Sequence, residues 1–206
     1  MKAFLEKYNG LKYLLYFFIA YMIGFMLLEN HHSSRMIITD SWIDSYIPFN
    51  EYFVIPYILW FVFMVLGFAY FVFIDQVGIK RTYFYLFLGM SLSLLIYALI
   101  PTGQNLRVQL YNENIFQCLV SFIYSVDSST NVCPSIHVYN SVMMCASLLK
   151  SQRIKQYSWL CVAIVVLTVL ICLSTVMIKQ HAFMDIVWAL ILAMVIYYIG
   201  KRKYAF

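Results

Sequence analysis

Two polar islands interrupt an otherwise apolar chain, and each carries a histidine. The later one, Ser174-Thr-Val-Met-Ile-Lys-Gln-His181-Ala-Phe-Met-Asp185, lies between the apolar runs 160–173 and 186–199. Ionisable residues at the junction of two membrane-length segments are costly, and they read as functional by default. His181 and Asp185 are four apart, so on a helix they share a face and can touch. A carboxylate that accepts from one ring nitrogen fixes the imidazole tautomer and makes the other nitrogen more basic. The plainer reading is an interfacial His and Asp that mark a helix end. The earlier island runs from Asp127 through Asn131 to Pro134-Ser135-Ile-His137. Pro134 and Ser135 are helix-start residues. A helix N-terminus offers free backbone N–H groups to a phosphate, and His137 would lie in the first turn beside that anion.

The elements that must hold these islands are membrane helices. The 206 residues are 64% hydrophobic and 11% charged, with a mean hydropathy of +0.80. Ordinary soluble domains are about a quarter charged. A helix needs around 20 apolar residues to cross a bilayer, and six such spans can be drawn, near 11–28, 53–74, 83–101, 136–150, 157–178 and 182–200. The expected fold is therefore all-α and integral to the membrane: one domain, 1–206, built as a six-helix bundle. Lys2, Lys7 and Lys12 before the first run resemble a signal peptide. No small-residue cleavage site follows, so the run reads as a retained first span.

Charge sets the orientation. With the N-terminus inside, the inner segments carry Lys2, Lys7, Lys12, Lys80, Arg81, Lys150, Arg153, Lys155, Lys201, Arg202 and Lys203, which is 11 of the 14 Lys and Arg. Only Arg35, Arg107 and Lys179 fall outside. That bias fits the positive-inside rule, puts both termini in the cytoplasm and places both islands on the extracytoplasmic face of the cell membrane. The same clustering at span ends argues against nucleic acid as the partner of a chain with net charge +5.

The outer loops add candidates. Arg107 follows a Pro101-Thr-Gly turn, and its fork suits bidentate phosphate binding. The alternative is an Arg snorkelling to lipid headgroups. Residues 111–126 mix polar and apolar residues, as a short surface helix would. Ser41-Trp-Ile-Asp-Ser-Tyr-Ile-Pro-Phe looks interfacial, with aromatics at headgroup level. His31-His32 reads first as a solvated loop pair, with a metal as the alternative. None of the five cysteines forms a CxxC pair, so zinc and redox chemistry have little support. Cys145, Cys161 and Cys172 fall in apolar segments, where they pack. Cys118 and Cys133 share one loop region, which leaves a disulfide between them open.

Pro134-Ser135-Ile-His137 and Ser174-x6-His181-x3-Asp185 resemble the second and third motifs of the type 2 phosphatidic acid phosphatase superfamily. Asn105-Leu106-Arg107 resembles a reduced first motif. Order, spacing and span layout match over most of the chain. The sequence departs at four positions: Ile100 replaces a Lys, Val108 a Pro, Ile136 a Gly and Thr175 an Arg. Two of the lost residues, the Lys and the Arg, are phosphate ligands in the family; Lys179 and Gln180 are the candidates to compensate. The Pro-Ser-x-His form is similar to the branch holding the inositolphosphorylceramide and sphingomyelin synthases.

The resemblance implies a metal-independent enzyme without a cofactor, whose partners are a lipid phosphate and the surrounding lipids. His181 would be the nucleophile and form a phosphohistidine. Asp185 would orient it, and His137 would serve as acid and then base. Arg107, Ser135, Ser174, Lys179 and Asn105 would bind the phosphate. Hydrolysis of a lipid phosphomonoester or pyrophosphate is the first reading, and transfer of a phospho-headgroup to an alcohol is the second. A non-enzymatic transporter, or a metal site at His137, His181 and Asp185, is the third.

Overall fold

A segment without charge in lipid can satisfy its backbone only by closing hydrogen bonds on itself, so each apolar run becomes a helix. The computed structural model describes residues 8–29, 36–111 and 113–203. Lys2, Lys7, the His31-His32 pair and Arg35 lie outside them. The helices are α1 (Asn9–Glu29), α2 (Val54–Phe73), α3 (Ile79–Leu99), α4 (Ile115–Val126), α5 (Ile136–Leu148), α6 (Gln152–Lys155), α7 (Ser158–Met177) and α8 (Phe183–Lys203). Five of them, α1, α2, α3, α7 and α8, are long and apolar enough to cross a membrane. Their outward faces carry exposed Ile19, Leu27, Val65, Leu66, Val162 and Met194, an apolar coat that suits lipid.

The expected fourth span differs from the others. Helix α5 has 13 residues, about 20 Å of rise against a hydrocarbon core of about 30 Å. It is the buried axis of the bundle and packs on α2, α3, α7 and α8. Val138, Tyr139, Met143 and Met144 of α5 meet Leu86, Ile171, Ala189 and Ile196 in one core. Such close approach needs small partners. A Cβ on Gly89 would run into the ring of Tyr139, whose hydroxyl donates to the Tyr85 carbonyl (2.6 Å). Because α5 is enclosed by protein, it tolerates Asn140, Ser141 and Ser147, all buried.

The two ends of the bundle are unlike. At one end Tyr83 Oη donates to the Gly10 carbonyl (2.8 Å), and Lys203 lies over the Phe84 ring at 5.0 Å, so the starts of α1 and α3 meet the end of α8. Tyr70 Oη and Ser151 Oγ, 2.6 Å apart, belong to this end too. At the other end three loops are woven together. The strands Ile37–Ile38 (β1) and Thr102–Gly103 (β2) pair in parallel, and Gly103 bridges to Thr130. Helix α4 caps the weave. Asn114 accepts from the amides of Phe116 and Gln117 (both 2.9 Å) at its start. Its apolar side, Val120 and Ile123, packs on Val54, Tyr57 and Ile178. This is the surface helix expected over 111–126.

Candidate active site

Both histidines stand where a helix begins at the woven end. Ser135 caps α5, its Oγ accepting from the Val138 amide (3.4 Å). That places His137 in the first turn. Helix α7 ends at Met177, and the turn to α8 closes back on it: the amides of Gln180 and His181 both donate to the Thr175 carbonyl (3.0 Å each). Asp185 falls in the first turn of α8. Its Oδ2 accepts from the Ala182 amide (2.9 Å) and lies 3.3 Å from His181 Nδ1. The Ser135 amide donates to the Asp185 carbonyl (3.2 Å), which docks one histidine-bearing helix start on the other.

The result brings the two rings together, with centroids 5.6 Å apart and both residues buried. His137 is held between aromatic rings, 4.8 Å from Tyr57 and 4.4 Å from Trp60. Among the described residues His137 Nδ1 and Asp185 Oδ1 have no hydrogen-bond partner. Cys133 is buried near Asp185; burial, reinforced by the Asp185 charge, pushes its thiol up to about 12. Cys133, buried, and Cys118, exposed, are both free, so the two do not pair.

The two histidines line a cavity together with Asp127, Ser128, Thr130, Asn131, Gln180 and Tyr97. Among the described residues no Lys or Arg lines it. Arg107 stands behind its wall. Nη1 donates to the Tyr124 carbonyl (2.9 Å), and Nη2 donates to the Asp127 carbonyl and to Gln180 Oε1 (3.0 Å). The guanidinium also covers the Tyr124 ring at 4.5 Å. Gln180 Nε2 donates to Asp127 Oδ2 (2.7 Å), and Tyr57 Oη to the same oxygen (3.3 Å). Burial draws the arginine below its ordinary value, opposed by the Asp127 charge.

The remaining expected phosphate ligands point elsewhere. Lys179 Nζ donates to the carbonyls of Asp44 (3.0 Å) and Ile47 (2.5 Å). Burial lowers its ammonium, again against a nearby carboxylate, Asp44. Ser174 Oγ turns back to the Ile171 carbonyl (2.6 Å) inside its own helix. Asn105 is exposed, and its amide donates to the Asp40 carboxylate (3.2 Å). The structure thus gathers His137, His181 and Asp185 and leaves Arg107, Ser135, Ser174, Lys179 and Asn105 on other partners.

Several site residues escape a reading of motifs. Tyr57 and Trp60 hide in an apolar span, where nothing in their spacing marks them. Asp127, Gln104 and Asp44 sit in loops. Gln104 Nε2 donates to the Lys179 carbonyl (3.0 Å), and Tyr124 Oη donates to that of Ile178 (2.6 Å), so the turn before His181 is clasped from outside. Of these residues Asp127 opens the polar island before Pro134, and Asp44 carries a local signal in Ser41-x-x-Asp44, which has capping-box spacing.

The PAP2 superfamily model matches residues 102–205, half of the chain, which holds Arg107, Asp127, His137, Gln180, His181 and Asp185 but not Asp44, Tyr57 or Trp60. The chain belongs to the PAP2 superfamily. No curated protein and no solved structure matches it. Family and apolar helices together make it a multi-pass membrane protein of the phosphatase type, a hydrolase in class.

Proposed function

We propose that the protein is a lipid-phosphate phosphatase that works through a phosphohistidine on the extracytoplasmic face. The observation that carries this reading is the 3.3 Å contact of His181 Nδ1 with Asp185 Oδ2, with the His137 ring facing the same cavity. Asp185 accepts from Nδ1–H, which leaves Nε2 as the nucleophilic nitrogen. Nε2 attacks phosphorus, and the bond to the lipid oxygen breaks. His137 gives its proton to that oxygen, so the lipid leaves as an alcohol. Water then attacks the phosphohistidine, His137 takes the water's proton, and the P–N bond breaks to release phosphate. Arg107, Ser135, Ser174, Lys179 and Asn105, with the helix-start amides, are the proposed phosphate-binding set; each of these side chains reaches a phosphate only by leaving its present place, Arg107 by releasing Tyr124, Asp127 and Gln180.

The cavity lining favours a second reading. A wall with Asp127 and, among the described residues, no Lys or Arg suits a singly charged phosphodiester better than a doubly charged monoester. The chemistry would then be transfer of a phospho-headgroup to an alcohol. Phosphate release from a panel of lipid monoesters, pyrophosphates and diesters, with and without acceptor alcohols, separates the two. Free phosphate from monoesters without acceptor supports the phosphatase. Product that appears only with an alcohol supports the transferase.

The proposed topology has six crossings, with α5 as the sixth, and both termini cytoplasmic. Support comes from Ser135 of α5 meeting Asp185 at one end while Ser151, just past it, meets Tyr70 at the other. In a background with Cys118 replaced by Ser, an impermeant thiol reagent applied from outside is expected to label Glu113→Cys and to miss Gln152→Cys. The reverse pattern would put the site in the cytoplasm.

Arg107→Lys is expected to lower turnover about tenfold or more. One ammonium cannot reproduce a planar fork that reaches three acceptors, and a single charge-assisted hydrogen bond is worth about 1.5–3 kcal/mol. Steady-state turnover beside a thermal-unfolding control checks this; near-wild-type turnover would leave Arg107 a clamp on Tyr124, Asp127 and Gln180 with no part in binding phosphate.

A further inference from the structure

Asp44 lies outside the residues matched by the family, in a short 3-10 turn, Trp42–Ser45, of the first loop at the woven end. Its neighbours Trp42 and Tyr46 are exposed, whereas Asp44 is buried at 3%. A buried carboxylate must be fully partnered to be tolerated. Oδ2 accepts from the amide and the hydroxyl of Ser41 (2.8 and 2.7 Å). Oδ1 accepts from the amide of Phe183 (2.7 Å), 139 residues away.

Phe183 is the first residue of α8, and the free amides of a first turn need acceptors. Here each of two consecutive amides has its own carboxylate. Ala182 donates to Asp185 and Phe183 donates to Asp44. Both carboxylates also suit the positive end of the helix dipole. The two bonds together fix the rotation of the first turn, and that rotation decides whether Asp185 faces His181. Asp44 holds the turn on its other side as well, because its carbonyl accepts from Lys179 Nζ. Lys179 has φ +55, in the left-handed region, which costs of order 1 kcal/mol for a residue with a side chain. Residue 44 therefore grips the chain two residues before His181 and two residues after it.

We infer that Asp44 is a positioning residue for phosphoryl transfer: it holds the His181–Asp185 pair in line through the Phe183 amide and the Lys179 ammonium. This rests on His181 being the nucleophile. It assigns to the first loop a part in the rate that is distinct from binding the lipid.

The test uses the purified full-length protein in detergent with a lipid phosphate that the panel identifies as substrate. Measured are kcat, KM, the rate of phosphohistidine formation by rapid quench, and thermal unfolding. Asp44→Ala is expected to lower kcat and the formation rate together by about 10²-fold, the scale of a small misplacement of a reacting group, with KM within about twofold. Asp44→Asn keeps an acceptor for Phe183 and is expected to recover most of the loss. Ser41→Ala removes one donor to Asp44 without touching α8, and a loss of about fivefold in kcat is expected from one hydrogen bond. If Asp44→Ala does not fold, Asp44→Asn and Ser41→Ala carry the test. Folded variants with wild-type kcat, a loss confined to KM, or no recovery in Asp44→Asn would overturn the inference. His181→Ala serves as the control. Turnover in that variant would overturn the phosphohistidine reading itself, whereas an inactive His181→Ala beside a fully active Asp44→Ala would overturn only the role of Asp44.

Discussion

His181→Ala is expected to abolish turnover, by on the order of 10⁴-fold or more, while the protein stays folded in the membrane. The alanine removes the nitrogen that would bond to phosphorus. Little of the fold depends on the ring: the backbone amide of His181 keeps its bond to the Thr175 carbonyl, and Asp185 keeps its bond from the Ala182 amide. The measurement is rapid quench with a labelled lipid phosphate and an alkaline work-up, which preserves phosphohistidine. Label should appear on the wild type during turnover and be missing from the variant. Comparable turnover in His181→Ala would end both the phosphatase and the transferase readings, because each routes the phosphoryl group through this nitrogen.

The second large effect is expected at His137. His137→Ala should slow turnover by about 10²–10⁴-fold, the usual worth of a positioned acid–base group. The loss should fall on both steps, since the same ring would protonate the lipid oxygen and then deprotonate the water. A substrate with a good leaving group needs no proton on that oxygen, so it should rescue only the first step. Phosphohistidine should then accumulate in the variant, and a burst of leaving group without matching phosphate release would report it. A variant equally slow with good and poor leaving groups would remove His137 from the role of acid. The rings of Tyr57 and Trp60 hold the imidazole on two sides, so the effect depends on where the ring is as well as on its presence.

The first-loop turn ties residues far from the family motifs to this site. The exposed side of Trp42 and Tyr46 offers aromatics to a headgroup layer, while the buried side of the same turn holds the start of α8 through Asp44. His181 and Asp185 are local in sequence, but the start of α8 that holds them is bonded by a loop about 140 residues earlier.

What the sequence by itself determined is whatever follows from short range or from lipid. Runs without charge had to be helical, because lipid offers no partner to a free backbone group; the helices fall within a few residues of the expected spans. His181 and Asp185 are four apart at a helix start, so their contact was legible before any packing was known. So was the place of His137 behind the Ser135 cap, and so was a short surface helix within 111–126. Tertiary structure alone decided which helix is the buried axis: α5 is too short and too polar to be singled out by hydropathy, and its place depends on Gly89 admitting Tyr139. It alone decided the fate of the basic residues. Lys179 and Arg107 had the right type and the right face to bind phosphate, yet Lys179 closes on two loop carbonyls and Arg107 on the carbonyls of Tyr124 and Asp127 and the side chain of Gln180, partners that no local pattern connects to them. The reason is physical. A helix and an i,i+4 pair are set by covalent geometry, whereas a buried cation takes whichever acceptors the folded loops bring to it, and those loops meet only once the bundle has formed.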